Sequence, residues 1–162
     1  MATKGKNLSS LHLKNLPQLK GVKVGIAVSE WNPSITGNLL KGALEVLAKA
    51  GIKQKDITVI HTPGSFELPL ASQWLLQKKN IAGIVAIGSV IQGETKHFDF
   101  VCQGVTQGIM DIGLKYNKPA VFCVLTDNTM QQAIDRSGGK YGNKGAECAA
   151  ALVKMIKLRD SL

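Results

Sequence analysis

The sequence predicts a doubly wound α/β fold, a parallel sheet with helices on both faces. Two observations carry the prediction. Apolar runs of strand length alternate with stretches of helical periodicity four times along the chain, and no two strands follow one another directly. A strand that returns through a helix lies parallel to its predecessor, and a sheet built that way is covered by helices on each side.

Residues 1–20 read as a loosely specified extension, with Pro17 and Gly21 punctuating the entry to a single domain spanning 21–162. The alternating "VKVGIAVS" (Val22 to Ser29) gives the first strand. Ser34 is the expected N-cap of the helix that follows, whose apolar face is Ile35, Leu39, Ala43, Val46, Leu47 and Ala50; Gly51 suits the position just past its end. "DITVIH" is the second strand, and its helix carries Leu70, Ala71, Trp74 and Leu75. The third strand runs Ile81 to Ile91, with a helix over His97 to Tyr116. "AVFCVL" (Ala120 to Leu125) is the fourth strand. A short helix is expected over Asn128 to Ser137, broken by Gly138 and Gly139, and a final one over Asn143 to Arg159.

Composition excludes several classes. The 162 residues hold no apolar run near the ~20 residues of a membrane helix. The polar start "MATKGKNLSS" has no signal-peptide core, so a cytoplasmic location is expected, with no membrane partner. Cys102, Cys123 and Cys148 are scattered, as are His12, His61 and His97, and neither set has metal-ligand spacing; the cysteines read as small buried apolar residues. No metal and no cofactor is expected. The net charge of +9 invites a nucleic-acid reading. Few aromatics interleave with the basic residues, however, and a solvated basic tail plus a local anion site accounts for the charge without nucleic acid as a partner.

Ligands of such sheets bind outside the carboxyl ends of the strands. Those ends read "EWNPS", "HTPGSFE", "GETKHFDF" and "TDNTM". Trp31, Asn32, Ser65, Phe66, Glu67, Glu94, Thr95 and His97 therefore gather at one rim, and their aromatic faces and polar edges suit a flat, hydrogen-bonding heterocycle. Taken singly, each has a plainer account. Trp31 could simply pack over a turn, and Glu67 could cap the next helix. His97, the histidine with polar neighbours at a strand end, is the candidate proton carrier. No Ser-His-Asp or Cys-His arrangement accompanies it, so a covalent nucleophile is not expected. A dinucleotide fingerprint is absent, and "GGKYGNKG" (Gly138 to Gly145) fails the Walker spacing. Lys140 and Lys144 could bind an anion beside the last helix or merely flank a connector; spacing supports both equally.

Five segments in register, "SEWNPSIT", "TPGSFELPLA", "AIGSVIQGETKHFDFV", "FCVLTDNTMQQAIDRSG" and "GKYGNKGAE", closely resemble the lumazine synthase family from about Gly21 onward. The resemblance implies a three-layer α/β/α sandwich with a four-stranded parallel, flavodoxin-like sheet. It implies condensation of 5-amino-6-(D-ribitylamino)uracil with 3,4-dihydroxy-2-butanone 4-phosphate to 6,7-dimethyl-8-ribityllumazine, phosphate and water, in riboflavin biosynthesis. By the same resemblance Trp31 stacks on the pyrimidine and Asn32 supports its loop. Ser65, Phe66 and Glu67 hold the ribityl-aminouracil, and the backbone of Ser89, Val90 and Ile91 reads the ring edge. Phe122 comes from a neighbouring subunit. Glu94, Thr95, Arg136 and Lys140 form the butanone phosphate site, and His97 moves protons.

Gln92 departs from the pattern, standing where many members carry Arg, with Lys96 as its partial replacement. Assembly as a homopentamer is also implied. The uninterrupted "SGGKYGNKGAE" resembles members whose pentamers close into an icosahedral capsid, whereas Pro17 removes a donor from the segment that would pair with a neighbour's sheet. The competing expectation is a lumazine- or flavin-binding protein without turnover on the same scaffold.

Overall fold

The computed structural model describes residues 15–162; residues 1–14, with Lys4, Lys6, His12 and Lys14, lie outside the described residues. Strands β1 (Lys23–Ser29), β2 (Ile57–Thr62), β3 (Ile81–Ile91) and β4 (Ala120–Asp127) form one parallel sheet in the order β2-β1-β3-β4. Between them lie helices α1 (Pro33–Lys49), α2 (Leu68–Gln77) and α3 (His97–Tyr116). After β4 come α4 (Met130–Arg136), the small antiparallel pair β5 (Ser137–Gly139) and β6 (Gly142–Asn143), and α5 (Lys144–Arg159).

Alternation along the strands decides which helix sits where. Val24, Ile26, Val28, Val85, Ile87, Cys123 and Leu125 point to one face and pack with α1 and α5. Ala27, Ile84, Ala86 and Val124 point to the other and pack with α2 and α3. Both cores are built of buried apolar side chains, and each fully buried Leu or Ile in them contributes about 1.5–3 kcal/mol over exposure. The predicted three-layer sandwich is thus what the two apolar faces of β1, β3 and β4 require. Of the three cysteines, Cys123 is buried; Cys102 and Cys148 are half-buried. The Cys123 thiol is held well above the usual thiol range by its hydrogen bond to Cys148 and by burial.

Several boundaries differ from the sequence expectation, each for a local reason. Helix α1 starts at Pro33, with Asn32 at the N-cap position in the left-handed region (φ 55°, ψ 56°). Proline's fixed φ begins the helix there, so Ser34 lies inside the first turn instead of capping it. Strand β4 runs on to Asp127 because it stays in register with β3 as far as Ile91 opposite Asp127. Helix α4 is shorter at both ends than expected. Thr129 caps it, its Oγ1 accepting from the Gln132 N–H at 3.3 Å, and Ser137 already belongs to the hairpin. Asn143 caps α5, its Oδ1 accepting from the Ala146 N–H at 3.1 Å. Asp56 closes a short 3-10 turn, so β2 begins one residue later than read.

Helices α1 and α5 approach closely at two glycines. A Cβ at Gly145 would overlap the Leu39 carbonyl oxygen, and one at Gly42 would overlap the Asn143 side chain. Since backbone cannot move aside as a side-chain end can, Gly145→Ala should destabilise the protein by about 3 kcal/mol, the upper range of overpacking costs. The check is the urea midpoint of the variant against the parent chain.

Candidate active site

The strand order reverses direction between β1 and β3, and a cavity of about 710 Å³ opens there beyond the carboxyl ends. Its walls come from four segments: Trp31 and Asn32 after β1, Gly64 to Glu67 after β2, Ser89 to Ile91 at the end of β3, and His97, Phe100 and Val101 on the first turns of α3. Strand β3 pairs with β1 only as far as Val28 opposite Ile87, while β4 accompanies it to Ile91. The last residues of β3 therefore present a backbone edge with no β1 partner. Asn32 uses part of it, donating its Nδ2–H to the Ser89 carbonyl at 3.0 Å. That bond ties the Trp31 loop to β3, and it explains why an Asn tolerates the left-handed backbone here.

Glu67 occupies the N-cap position of α2, yet its side chain makes no capping bond. Its carboxylate lies over Gly64 instead: a Cβ there would come within 2.9 Å of Glu67 Oε2 and 3.5 Å of Trp31 Cδ1. Gly64 thus leaves room for the carboxylate beside the indole edge, and the capping account of Glu67 gives way to a cavity-facing one. Trp31 is 70 % exposed and Phe66 61 %, so both rings stand bare at the mouth. The backs of these walls are tightly set. Phe66 rests in the notch of Gly104 on α3, where a Cβ would meet Phe66 Cε2 at 2.9 Å. Ser65 and Ser89 are buried, and their hydroxyls have no hydrogen-bond partner. An unmet buried hydroxyl costs about 1–3 kcal/mol, and both residues belong to the cavity wall. His97 is exposed as the first residue of α3, and the Thr95 Oγ1 accepts its backbone N–H at 3.3 Å.

Trp31, Asn32, Ser65, Phe66, Glu67, Ser89, Val90, Ile91 and His97 are thus brought together, and Glu94, Thr95, Phe122, Arg136 and Lys140 are not in the cavity wall. Glu94 and Thr95 are exposed on the turn before α3. Phe122 is half-buried on β4 against the α2–α3 core. Arg136 ends α4, with its Nη1 donating to the Gln132 carbonyl at 2.9 Å and lying 3.5 Å from Asp127 Oδ1. The Tyr141 ring carries Arg136 at 5.3 Å and Lys140 at 5.5 Å from its centroid, so two cations share one aromatic ring. The "GGKYGNKG" stretch contains the β5–β6 hairpin; Lys144 pairs with Glu147 at 2.6 Å, and Lys140 is the exposed cation.

Residues 21–160 match the family model described as 6,7-dimethyl-8-ribityllumazine synthase. The chain belongs to the 6,7-dimethyl-8-ribityllumazine synthase family. It is similar to a protein of that name from Flavobacterium johnsoniae, 52 % identical over 99 % of this chain and 84 % of the relative. A second, from Christiangramia forsetii, is 49 % identical over 98 % and 95 %. A third, from Phocaeicola vulgatus, is 45 % identical over 100 % and 96 %. The family resemblance read from the five segments and the α/β/α fold therefore both hold for this synthase family member.

The sequence reading missed Gly64, Phe100 and Val101. Helical spacing held the signal for the last two, since residues three and four beyond His97 share its face. Gly64 needed the Glu67 conformation, which spacing does not give. Trp31 lies in the cavity wall, whereas Trp74 is on the outer side of α2. A flat heterocycle entering the cavity should quench tryptophan emission in the parent chain and in Trp74→Phe, but not in Trp31→Phe. Fluorescence titration of the three proteins reads this directly.

Proposed function

We propose that this chain is a lumazine synthase that joins 5-amino-6-(D-ribitylamino)uracil to 3,4-dihydroxy-2-butanone 4-phosphate, yielding 6,7-dimethyl-8-ribityllumazine, phosphate and water for riboflavin biosynthesis. The observation that carries it is the cavity at the β1–β3 switch point, where Trp31, Phe66, Glu67 and His97 converge in a chain of this family. Trp31 offers a face for the pyrimidine. Glu67 and the Ser65 hydroxyl accept from ribityl hydroxyls, and the unpaired edge of β3 reads the ring. Phe66, in its Gly104 notch, closes the wall behind the ribityl chain. Arg136, with Lys140 on the same Tyr141 ring, is the anchor for the phosphate, and Glu94 and Thr95 line that partner's approach.

An amine attacks the ketone and water leaves, phosphate is eliminated, and the second amine closes the ring on the remaining carbonyl with loss of a second water. The reactants carry their own electrophile and nucleophiles, so each step asks the protein for alignment and proton transfer. Alignment of two bound molecules can lower a barrier by about 7–11 kcal/mol. Proton transfer through the His97 imidazole contributes on the order of 10²–10⁴-fold.

Phe122, Arg136 and Lys140 lie off the cavity wall of their own chain, which supports a site completed by a second copy. Leu70 and Trp74 on α2, with Met110 and Leu114 on α3, are exposed apolar residues at one-turn spacing. They supply a face for packing between copies. The assembly proposed is a homopentamer, with pentamers closing into an icosahedral capsid, and the chain is placed in the cytoplasm with residues 1–20 as an extension to one domain. Among the described residues no helix is long and apolar enough to cross a membrane.

Incubating the protein with both substrates should yield fluorescent lumazine and free phosphate in step; ligand binding with neither product would replace catalysis by binding alone. His97→Ala should lower turnover by about 10²–10⁴-fold without abolishing it. Complete loss in a folded variant that still binds the pyrimidine would reverse the ranking of alignment over proton transfer.

A further inference from the structure

Asp127 is the last residue of β4 and only 6 % exposed, a carboxylate placed where sheets bury apolar side chains. Isolated buried carboxylates are costly and occur where they hold something. Among the described residues Arg136 is the cation paired with Asp127, with Nη1 3.5 Å from Oδ1; the other oxygen, Oδ2, is buried without a hydrogen-bond partner there. Burial pushes the carboxyl up from its ordinary value, and the Arg136 guanidinium pulls against that rise. Its backbone is fixed as well, because the Asp127 carbonyl accepts from the Gln92 N–H at 2.9 Å.

The guanidinium it faces is contacted from the sheet, from α4 and from the hairpin connection. Asp127 Oδ1 and the Gln132 carbonyl both approach its Nη1, at 3.5 Å and 2.9 Å, and its Cζ lies over the Tyr141 ring, 5.3 Å from the centroid. The Gln132 contact is local to α4, and Tyr141 sits on the hairpin connection beyond it. Among the described residues, Asp127 is the contact that ties Arg136 to the sheet itself. A planar, always-charged fork is useful to a phosphate only when its free N–H groups point the right way, and a fixed carboxylate on one edge sets that direction.

We propose that Asp127 is a positioning residue for the phosphorylated substrate, aiming Arg136 at the phosphate from a buried seat at the end of β4. This rests on the reading of Arg136 as the phosphate anchor. Without the carboxylate, the guanidinium is held by α4 and the hairpin alone and swings with them. In this reading the carboxylate acts through Arg136, on the phosphate contact, and not through Trp31 or Glu67, which stand on other loops.

The test uses the full chain in its native assembly and four variants: Asp127→Ala, Asp127→Asn, Arg136→Ala and the double alanine. Asp127→Ala should raise KM for the butanone phosphate about tenfold, the scale of one weakened charge-assisted hydrogen bond, and weaken competition by inorganic phosphate equally. KM for the pyrimidine should stay within about twofold. Asp127→Asn keeps an acceptor of the same shape and should restore the butanone phosphate KM to within about threefold of the parent. The double alanine should be no worse than Arg136→Ala. If Arg136→Ala raises that KM and Asp127→Ala does not, Asp127 does not aim the arginine. Equal rises in both KM values, or failure of the Asn variant to restore binding, would make Asp127 a fold residue and overturn the proposal. If Arg136→Ala itself leaves the KM unchanged, the phosphate reading of Arg136 falls, and this inference with it.

Discussion

The pairing of β1 with β3 stops at Val28 and Ile87, while β3 continues beside β4 to Ile91. The site depends on that mismatch in length. It leaves one edge of β3 without a strand partner at the place where the helices diverge to opposite faces. Asn32 fills part of the gap from the loop after β1, and in doing so holds Trp31 at the mouth. Were β1 as long as β3, its next residues would occupy the space where a ring can bind. The cavity is therefore a consequence of strand register, and the two buried cores are what keep that register in place.

From that edge outward, the rim is arranged by close backbone approaches. Gly64 lets the Glu67 carboxylate lie beside the indole, and Gly104 lets Phe66 sink against α3. Each replaces what would be a methyl group by a functional side chain's own volume. The two unmet hydroxyls, Ser65 and Ser89, lie on the same rim, and they are held buried by packing that pays no regard to their hydrogen bonds. A core optimised only for stability would satisfy or remove them. Among the described residues the other unmet buried polar atoms are Asp127 Oδ2, at the neighbouring strand end, and Ser72 Oγ on α2, away from the cavity wall.

Much of this was legible in the sequence because the signals are local. Strand alternation in β1 and β3, the period of α1, and the polar segments following each strand reach the fold and the rim directly. The aromatic and acidic members of the cavity, Trp31, Phe66, Glu67 and His97, followed from their places after strands. What spacing does not encode is which backbone group a side chain finds. Ser34 looked like the cap of α1, but Pro33 starts the helix and Asn32 reaches across to Ser89. Glu67 looked like a cap and makes no capping bond. Asp127 gave no signal at all: a lone aspartate after an apolar strand reads as a turn residue until its burial and its arginine neighbour are seen.

In the proposed assembly one chain supplies the cavity and another the phosphate anchor. The most direct measurement is the activity of mixed assemblies, made by refolding a Glu67→Ala chain together with an Arg136→Ala chain, each impaired alone. Shared sites predict partial recovery, because some interfaces then pair an intact cavity with an intact arginine. No recovery in demonstrably mixed oligomers, with each parent assembly formed normally, would mean that cavity and anchor serve the same chain, and would contradict the account.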